Sequence, residues 1–390
     1  MDEVITGLPA PMFYQPIVVD KQWLDDALTY CIDNKVEDLI LLSGEPWSVI
    51  WSDQIVRVGD RPLTMSELSD IINYITDNTS ASLDITVNAT PIDTKYKLQV
   101  GRGKYATFRV NATGCLGADG YRGIEIVIRP SSGLPPTLNE LNVPDLIKDN
   151  ICPQSGLVIV SGVTGSGKTT LLGATIRELL TANKGRHVIT LEQPIELNFI
   201  GLPNQTGIIS QCEIGIRGTG ANIESFEEGI RNILRRHPHS VLLGEARDRE
   251  SINGAITIGL TGHTCYTTTH TASTELTLPR LADNYSGQDR VRVLFNLIDN
   301  TRLIIHQRLV STPTGIGRHP IRSALVFTQD VRNRLMRIDD MSRLPFEIGK
   351  LMKSPEVGID LLQDTEEQYE RGHIAESVIH AVRRELSEDF

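Results

Sequence analysis

Apolar and polar residues alternate in two ways along the first third of the chain. Helical periodicity runs over residues 23–33 and again over 64–75, where Thr64 and Glu67 have the spacing of a capping box. Period-two alternation predicts strands at 37–44, 47–53, 55–59, 84–87, 96–100, 107–110 and 124–128. This mixture predicts an α+β domain over residues 1–129.

A stretch rich in Pro, Gly and Ser follows, and the pattern changes after it. Residues 130–138 contain adjacent prolines, which continue neither a helix nor a central strand, so we place a domain linker there. Beyond it come an apolar strand at 156–161, a helix at 168–182 and a second apolar strand at 187–191. Because a crossover helix between two strands indicates a parallel sheet, residues 139–340 are predicted to form an α/β domain.

The remaining residues, 341–390, carry a helical pattern without a catalytic constellation. Charged and apolar residues recur there with a period of about 3.6 residues. We expect a helical appendage that packs on the core or on a neighbouring subunit.

Composition narrows the class of protein. The chain has 390 residues, which is long enough for two domains. Of these residues 40% are hydrophobic and 22% are charged, values typical of globular proteins. Its five cysteines form no CxxC pair, so they indicate neither a zinc site nor a disulfide framework and fit a reducing compartment. The first residues do not resemble a signal peptide, and no apolar run approaches the roughly 20 residues of a membrane span.

The strongest chemical signal is a glycine-rich loop. The sequence GVTGSGKTT contains the pattern G-x-x-x-x-G-K-[ST] between a predicted strand and a predicted helix, as phosphate binding requires. The glycines let backbone N–H groups converge on phosphate oxygens, Lys168 can reach the β- and γ-phosphates, and Thr169 can ligate Mg²⁺. The predicted nucleotide contacts are Gly162, Val163, Thr164, Gly165, Ser166, Gly167, Lys168, Thr169 and Thr170.

Two acidic clusters follow the ends of predicted strands, where ligands bind in open parallel sheets. ITLEQPIE ends an apolar strand in Glu192, and VLLGEARD places Glu245 after a second one. Either acid alone could be a solvated strand end. Together with the phosphate-binding loop they predict hydrolysis, because a hydrolase must orient water and hold the metal.

A third, polar segment, TGHTCYTTTHT, carries His263 and His270 on either side of a strand. Lone histidines are more often satisfied core or surface residues than catalysts. The residues themselves therefore leave the role of His270 open.

In this order, GVTGSGKTT, ITLEQPIE, VLLGEARD and TGHTCYTTTHT resemble the Walker A, Asp box, Walker B and His box of the type II/type IV secretion and pilus-retraction ATPases. The resemblance covers roughly residues 30 to 335 and includes QRL at 307–309. RVNATGC, SQCEI and GIRNILRRHP look most like the DotB/TraJ branch, which energises Icm/Dot-type secretion and I-type plasmid conjugation.

The resemblance implies a homohexameric ring with an N-terminal PAS-like domain and a C-terminal RecA-like ATPase domain that binds ATP and Mg²⁺. Glu192 would activate the attacking water, Glu245 would support magnesium and catalysis, and His270 would sense the γ-phosphate. The ring would be cytoplasmic and peripherally associated with the inner membrane. Its partners would be a secretion or conjugation platform and a partner ATPase.

Three arginines of the N-terminal region also match the resemblance. Arg109, Arg122 and Arg129 correspond to arginines that, in the family, approach the nucleotide from the N-terminal domain. Guanidinium groups can stabilise charge on a transferred phosphoryl group. The resemblance thus implies that these residues couple the nucleotide to a rotation of the domains about the linker.

The chain also departs from the family pattern. Gln193 stands where the Asp box carries its aspartate, so it is not expected to be a metal ligand, and Cys212 stands where pilus-retraction relatives often carry arginine. The tetracysteine zinc insert of the type II relatives is absent. The basic run from Arg231 to Arg236 favours subunit contacts or a structural helix face, with docking of a substrate or partner as the alternative.

We therefore expect an ATP-hydrolysing hexameric motor for type IV secretion or conjugative transfer. One alternative is a nucleotide-controlled assembly factor with little turnover. Another is a RecA-like DNA motor, but a net charge of −11 disfavours it, and we expect no direct sequence-specific binding of nucleic acid. The cargo, effector protein or relaxase-bound plasmid DNA, stays open.

Overall fold

The computed structural model describes residues 8–388 except 12, 52–53, 102–103, 131–133, 216–220 and 316. The chain forms two compact units, residues 1–133 and 134–390. The boundary falls inside the stretch predicted as a linker, 130–138, of which residues 131–133 lie outside the described part.

The first unit consists of a six-stranded antiparallel sheet and helices that pack against it. Its strand order is β3-β2-β1-β6-β5-β4. The elements are α1 (Lys21–Asp33), β1 (Asp38–Leu42), β2 (Pro46–Trp51), β3 (Gln54–Pro62), α2 (Met65–Thr76), α3 (Ala81–Thr86), β4 (Ile92–Gly101), β5 (Lys104–Leu116) and β6 (Arg122–Pro130). The predicted capping box of α2 is confirmed, with reciprocal bonds between Thr64 and Glu67.

One predicted strand of this unit is wrong. Residues 84–87 were expected to be extended, but they belong largely to α3 or follow it directly. The buried positions of that helix are Ala81, Ser82 and Ile85. Four alternating residues fit either period, and the spacing of three between buried residues decides for the helix.

The second unit has an eight-stranded sheet with helices on both faces. Its strand order is β14-β13-β12-β7-β11-β10-β8-β9. The six neighbouring strands β12, β7, β11, β10, β8 and β9 run parallel, and β13 and β14 add antiparallel pairs at one edge. Its elements are α4 (Asp145–Asn150), β7 (Gly156–Ser161), α5 (Lys168–Thr181), β8 (His187–Glu192), β9 (Ile208–Glu213), α6 (Phe226–Ile233), β10 (Ser240–Leu243), α7 (Arg249–Leu260), β11 (Thr264–Thr269), α8 (Thr277–Ala282), α9 (Gly287–Asn300), β12 (Thr301–Ser311), β13 (Arg318–Val326), α10 (Gln329–Met336), α11 (Leu344–Met352), β14 (Gly358–Ile359), α12 (Leu361–Glu370) and α13 (Glu376–Glu388).

The core of the second unit lies on both faces of its central strands. Every residue of β7, β10 and β11 is buried. Along β7, Leu157 and Ile159 belong to one apolar cluster, whereas Val158 and Val160 belong to the other. Burial on both faces is typical of parallel strands covered by crossover helices, which explains why the sequence shows continuous apolar runs there.

Two details differ from the sequence pattern. Residues 358–359, expected within a helix, form strand β14, which pairs with Ala324 and Leu325 of β13. Helix α6 ends at Ile233, so Arg235 and Arg236 of the basic run lie beyond it. Across the described residues, no helix combines the length and apolar character needed to cross a membrane.

Candidate functional site

The glycine-rich loop connects β7 to α5 and adopts a conformation that depends on glycine. Gly162, Gly165 and Gly167 have φ of 146°, 77° and 80°, values that residues with a side chain rarely adopt. A Cβ on Gly162 would also lie 2.4 Å from the carbonyl oxygen of Gln307. The loop therefore turns tightly against the neighbouring strand β12.

Lys168 starts α5 and folds over this loop. Its ammonium group donates to the carbonyl oxygens of Gly162 and Val163, both at 2.8 Å. Burial lowers the pKa of Lys168, while the charges of Glu245 and Glu196 act in the opposite direction. The cation thus lies within the electrostatic reach of an acid on another strand.

The beginning of α5 offers groups that suit an anion. The N-cap residue is Gly167, which has no side chain to cap the first-turn N–H groups of α5. The hydroxyl of Ser166 is buried and has no hydrogen-bond partner among the described residues. Buried polar groups normally have one, so the loop fits a bound phosphate.

Glu192 is the last residue of β8 and is only 6% exposed. Its Oε1 accepts hydrogen bonds from Thr190 Oγ1 at 2.6 Å and from Gln211 Nε2 at 3.3 Å. Burial raises the pKa of Glu192, and these hydrogen bonds oppose the rise. A buried carboxylate with a raised pKa is a stronger base when it is ionised.

Glu245 follows β10, and its backbone is fixed from both sides. The N–H of Gly244 donates to Leu191 O of β8, and the N–H of Ala246 donates to Thr268 O of β11, both at 2.9 Å. Its carboxylate Oε1 lies 3.6 Å from Nε2 of His270, which follows β11. Both side chains line a polar cavity of about 260 Å³.

Strand register brings these groups to one edge of the sheet. Leu191 pairs with Leu243, and Leu243 pairs with Thr267. Thr269 at the end of β11 pairs with Ser161, the residue before the loop. The carboxyl ends of β7, β8, β10 and β11 therefore place Lys168, Glu192, Glu245 and His270 along the same edge.

The three predicted arginines belong to the first unit. Nε and Nη2 of Arg129 donate to the two carboxylate oxygens of Asp38, each at 2.7 Å, and Arg122 donates to Thr86 O at 2.7 Å. Arg109 stands directly opposite Arg129 on one side and Lys95 on the other. Like charges opposite one another repel, and the carboxylate of Asp38 offsets the charge of Arg129 within this row.

The chain is similar to a known protein family over most of its length. The family model described as type II/IV secretion system protein matches residues 53–349, more than half of the chain. The chain belongs to this family.

Two solved structures and one curated relative illustrate the similarity. The ATPase DotB of Legionella pneumophila is 33% identical, with 95% of this chain and 97% of that chain covered and a TM-score of 0.84. The ATPase DotB of Yersinia pseudotuberculosis is 25% identical, with coverages of 97% and 99% and a TM-score of 0.82. The type IV pilus retraction ATPase PilT of Pseudomonas aeruginosa is 28% identical over 321 residues, covering 82% of this chain and 87% of PilT.

These similarities confirm the predicted resemblance to DotB-like ATPases within the PilT-like type II/IV superfamily. They also establish the mixed α/β fold of these ATPases for this chain. As a member of this family the chain is an ATPase that uses a nucleotide.

Sequence reasoning missed several residues that contact the glycine-rich loop or Glu192. Gln307 enters the sequence pattern only as part of the QRL match, but its Nε2 donates to Ser166 O at 2.7 Å. Thr190 and Gln211 lie in the matched segments ITLEQPIE and SQCEI, but the sequence gives neither of them a role, and both donate to Glu192. A threonine two residues before a strand-end acid lies on the same face of the strand, and that spacing could have identified Thr190.

Proposed function

We propose that this chain is a hexameric, ATP-hydrolysing motor that energises type IV secretion or conjugative transfer across the bacterial envelope. The observation that carries the proposal is the alignment of Lys168, Glu192, Glu245 and His270 at the carboxyl ends of the parallel strands of one sheet. A triphosphate held there would have a base, a metal-supporting acid and a polar contact for its terminal phosphate. The similarity to secretion and pilus ATPases supports the transport role.

The residues that would hold the nucleotide are those of the loop, from Gly162 to Thr170. Lys168 would exchange the loop carbonyls for β- and γ-phosphate oxygens, and the first-turn N–H groups of α5 would complete the cradle. Thr169 and Glu245 supply the hard oxygen atoms that suit Mg²⁺, which usually takes few protein ligands and completes its shell with phosphates and water. Magnesium bound there would neutralise charge on the phosphates.

Hydrolysis would depend on Glu192 and on the pair formed by Glu245 and His270. Buried Glu192, with its raised pKa, would accept the proton of the attacking water. His270, 3.6 Å from Glu245, would contact the γ-phosphate and respond to its loss. The acid and the histidine would then couple cleavage to a change in local contacts.

The first unit would act as a PAS-like N-terminal domain that senses the nucleotide. Arg109, Arg122 and Arg129 would approach it, and the domains would rotate about residues 130–138 when the terminal phosphate leaves. Arg109→Ala or Arg129→Ala should then reduce turnover more than nucleotide binding. Arg57→Ala is the matched control, because Arg57 is an exposed arginine of the same unit that pairs with Glu45.

The working state would be a homohexameric ring, cytoplasmic and peripherally attached to the inner membrane. Its partners would be a transport platform and a second ATPase. In this arrangement residues 139–340 would form the RecA-like ATPase domain and residues 341–390 a largely helical appendage.

Phosphate release by the purified, assembled protein tests the proposal. The wild-type chain should release phosphate from ATP in steady state, and Lys168→Ala and Glu192→Gln should abolish this release. Binding of ATP without turnover, even with the membrane platform supplied, would refute the motor and favour a nucleotide-controlled assembly factor. Stimulation by single-stranded DNA would instead favour a DNA motor.

A further inference from the structure

Gln307 of β12 forms the floor of the phosphate-binding loop. Its side-chain Nε2 donates to Ser166 O at 2.7 Å, and both residues are buried. The same nitrogen would lie 2.9 Å from a Cβ on Gly167. A Cβ on Gly162 would lie 2.4 Å from the Gln307 carbonyl oxygen, so this one residue packs against the loop at both ends.

The orientation of the Gln307 amide is set by Arg322 on the neighbouring strand. The two residues face each other in the register of β12 and β13. Arg322 Nε donates to Gln307 Oε1 at 2.8 Å. Since a guanidinium group only donates, the amide oxygen must face Arg322, and the amide nitrogen is left to hold Ser166 O.

Arg322 is itself held without a carboxylate on its guanidinium group in the described contacts. The side chain is only 1% exposed, and its two terminal nitrogens donate to Asn142 O and Leu141 O at 3.1 Å and 3.0 Å. Burial lowers the pKa of Arg322 to about 10. A buried cation with neutral partners is a costly feature, which is tolerated where it fixes one geometry.

Asp364 connects this arginine to helix α12. One carboxylate oxygen accepts the backbone N–H of Arg322 at 2.7 Å, and the other accepts from Gln368 Nε2 at 3.2 Å. Asp364 is 2% exposed and is the acid whose charge acts on Arg322. The contacts thus run without interruption from α12 to the floor of the loop.

We propose that Gln307 is a positioning residue for the phosphate-binding loop, and that Arg322 and Asp364 transmit the placement of helix α12 to it. None of the three touches the reacting atoms in this role. Their effect is to keep the loop in the shape that receives a phosphate, so their loss reduces the fraction of binding-competent protein. The inference rests on the assignment of residues 162–169 as the phosphate-binding loop.

The test is the affinity of the full-length protein for ADP, measured by calorimetry in the presence of magnesium. Gln307→Met, which keeps the length of the side chain and deletes its amide, should weaken binding roughly 3- to 10-fold, the factor that corresponds to one buried hydrogen bond. Arg322→Met and the milder Asp364→Asn should weaken it in the same direction. Gln363→Met is the matched control, because Gln363 is exposed on α12, and it should bind ADP like the wild type.

A double variant separates positioning from a general loss of structure. If Arg322 acts through Gln307, adding Arg322→Met to Gln307→Met should weaken ADP binding no further. Hydrogen exchange of the loop amides should be faster in Asp364→Asn, while amides of the first unit keep their wild-type rates. This measurement stands even if Arg322→Met does not fold.

Unchanged ADP affinity in Gln307→Met would overturn the positioning role. Weakened affinity in Gln307→Met, with wild-type affinity and exchange rates in Asp364→Asn, would overturn the link to α12. Lys168→Ala provides the independent arm. If that variant binds ADP as tightly as the wild type, the loop assignment itself is wrong, whatever Gln307 does.

Discussion

Replacing Thr190 by valine tests whether its hydroxyl stabilises the charged form of a buried carboxylate. Thr190 and Glu192 are both buried on β8, and Thr190 Oγ1 donates to Glu192 Oε1 at 2.6 Å. Valine has nearly the shape of threonine and lacks the hydroxyl. The substitution therefore deletes this hydrogen bond and changes little else.

The magnitude follows from the charge of the acceptor. A hydrogen bond to a charged group contributes about 1.5–3 kcal/mol, and one between neutral groups contributes about 0.5–1.5 kcal/mol. Thr190→Val should thus reduce the free energy of unfolding by the first amount in the wild type and by the second in a Glu192→Gln background. The difference, about 1 kcal/mol or somewhat more, is the coupling energy of the pair.

The coupling should depend on pH with a definite sign. Burial raises the pKa of Glu192 above its ordinary value. The carboxylate is ionised above that pKa, where the charged hydrogen bond is present, and it takes a proton as the pH falls through that pKa. Coupling should therefore be present at mildly alkaline pH and shrink in acid. The same loss of support should move the acid limb of the pH–rate profile of Thr190→Val to higher pH.

The assay uses the uneven distribution of tryptophan. The three tryptophans, Trp23, Trp47 and Trp51, all lie in the first unit. In denaturant titrations, fluorescence follows that unit, and the part of the circular dichroism change without a fluorescence counterpart follows the second. Equal costs of Thr190→Val in both backgrounds, at both pH values, would refute the claim that Thr190 stabilises the charged form of Glu192.

Three further predictions concern other parts of the second unit. Gly162→Ala places a Cβ 2.4 Å from Gln307 O at a φ of 146°, so the substitution should strain the loop by roughly 1–3 kcal/mol. This strain should abolish the rise in melting temperature that ADP produces in the wild type. Burial lowers the pKa of His306 from 6.5 to about 4. Between these pH values the unfolded chain binds one more proton than the folded chain, so the free energy of unfolding decreases as the pH falls. His306→Gln should weaken this pH dependence, measured by denaturant titrations. Arg236 donates to side chains of β9, so Arg236→Ala should destabilise the second unit by about 1 kcal/mol and leave ADP affinity unchanged; weaker ADP binding would contradict a purely structural role.

Local sequence patterns predicted a feature correctly where all the residues that determine its structure lie in one short segment. The loop from Gly162 to Thr169 carries its glycines, its lysine and its flanking strand and helix within one short stretch. The positions of Glu192 and Glu245 at the edge of the sheet could be predicted because Glu192 ends the apolar strand β8 and Glu245 follows β10 by two residues. The strand predicted at 84–87 was wrong because four residues do not distinguish the period of a strand from that of a helix. Ile85 is buried as part of helix α3.

The supporting residues could not be predicted in this way, because their partners are distant in sequence. Gln307 and Ser166 are 141 positions apart, and Arg322 meets Asn142 across 180 positions. A glutamine or arginine in a strand normally indicates an exposed face. Only the register of β12 with β13 places these two side chains against the loop and inside the core.

A second set of polar contacts, made by Arg308, His306 and Ser161, also reaches the loop from residues distant in sequence. Arg308 Nε donates to His306 Nε2 at 3.2 Å, so that nitrogen must accept and the proton of the neutral ring lies on Nδ1. Nδ1 can then donate to Ser161 Oγ at 3.2 Å, the residue directly before the loop, while Arg308 also binds Glu385 of α13 at 2.7 Å. A protonated ring would lose its acceptor and face the arginine, so burial first and the charge of Arg308 second lower the pKa of His306. Polar contacts from α12 and from α13 therefore reach the two ends of the same β7–loop–α5 turn by separate routes, and the segment after residue 340 is part of what fixes the loop in place.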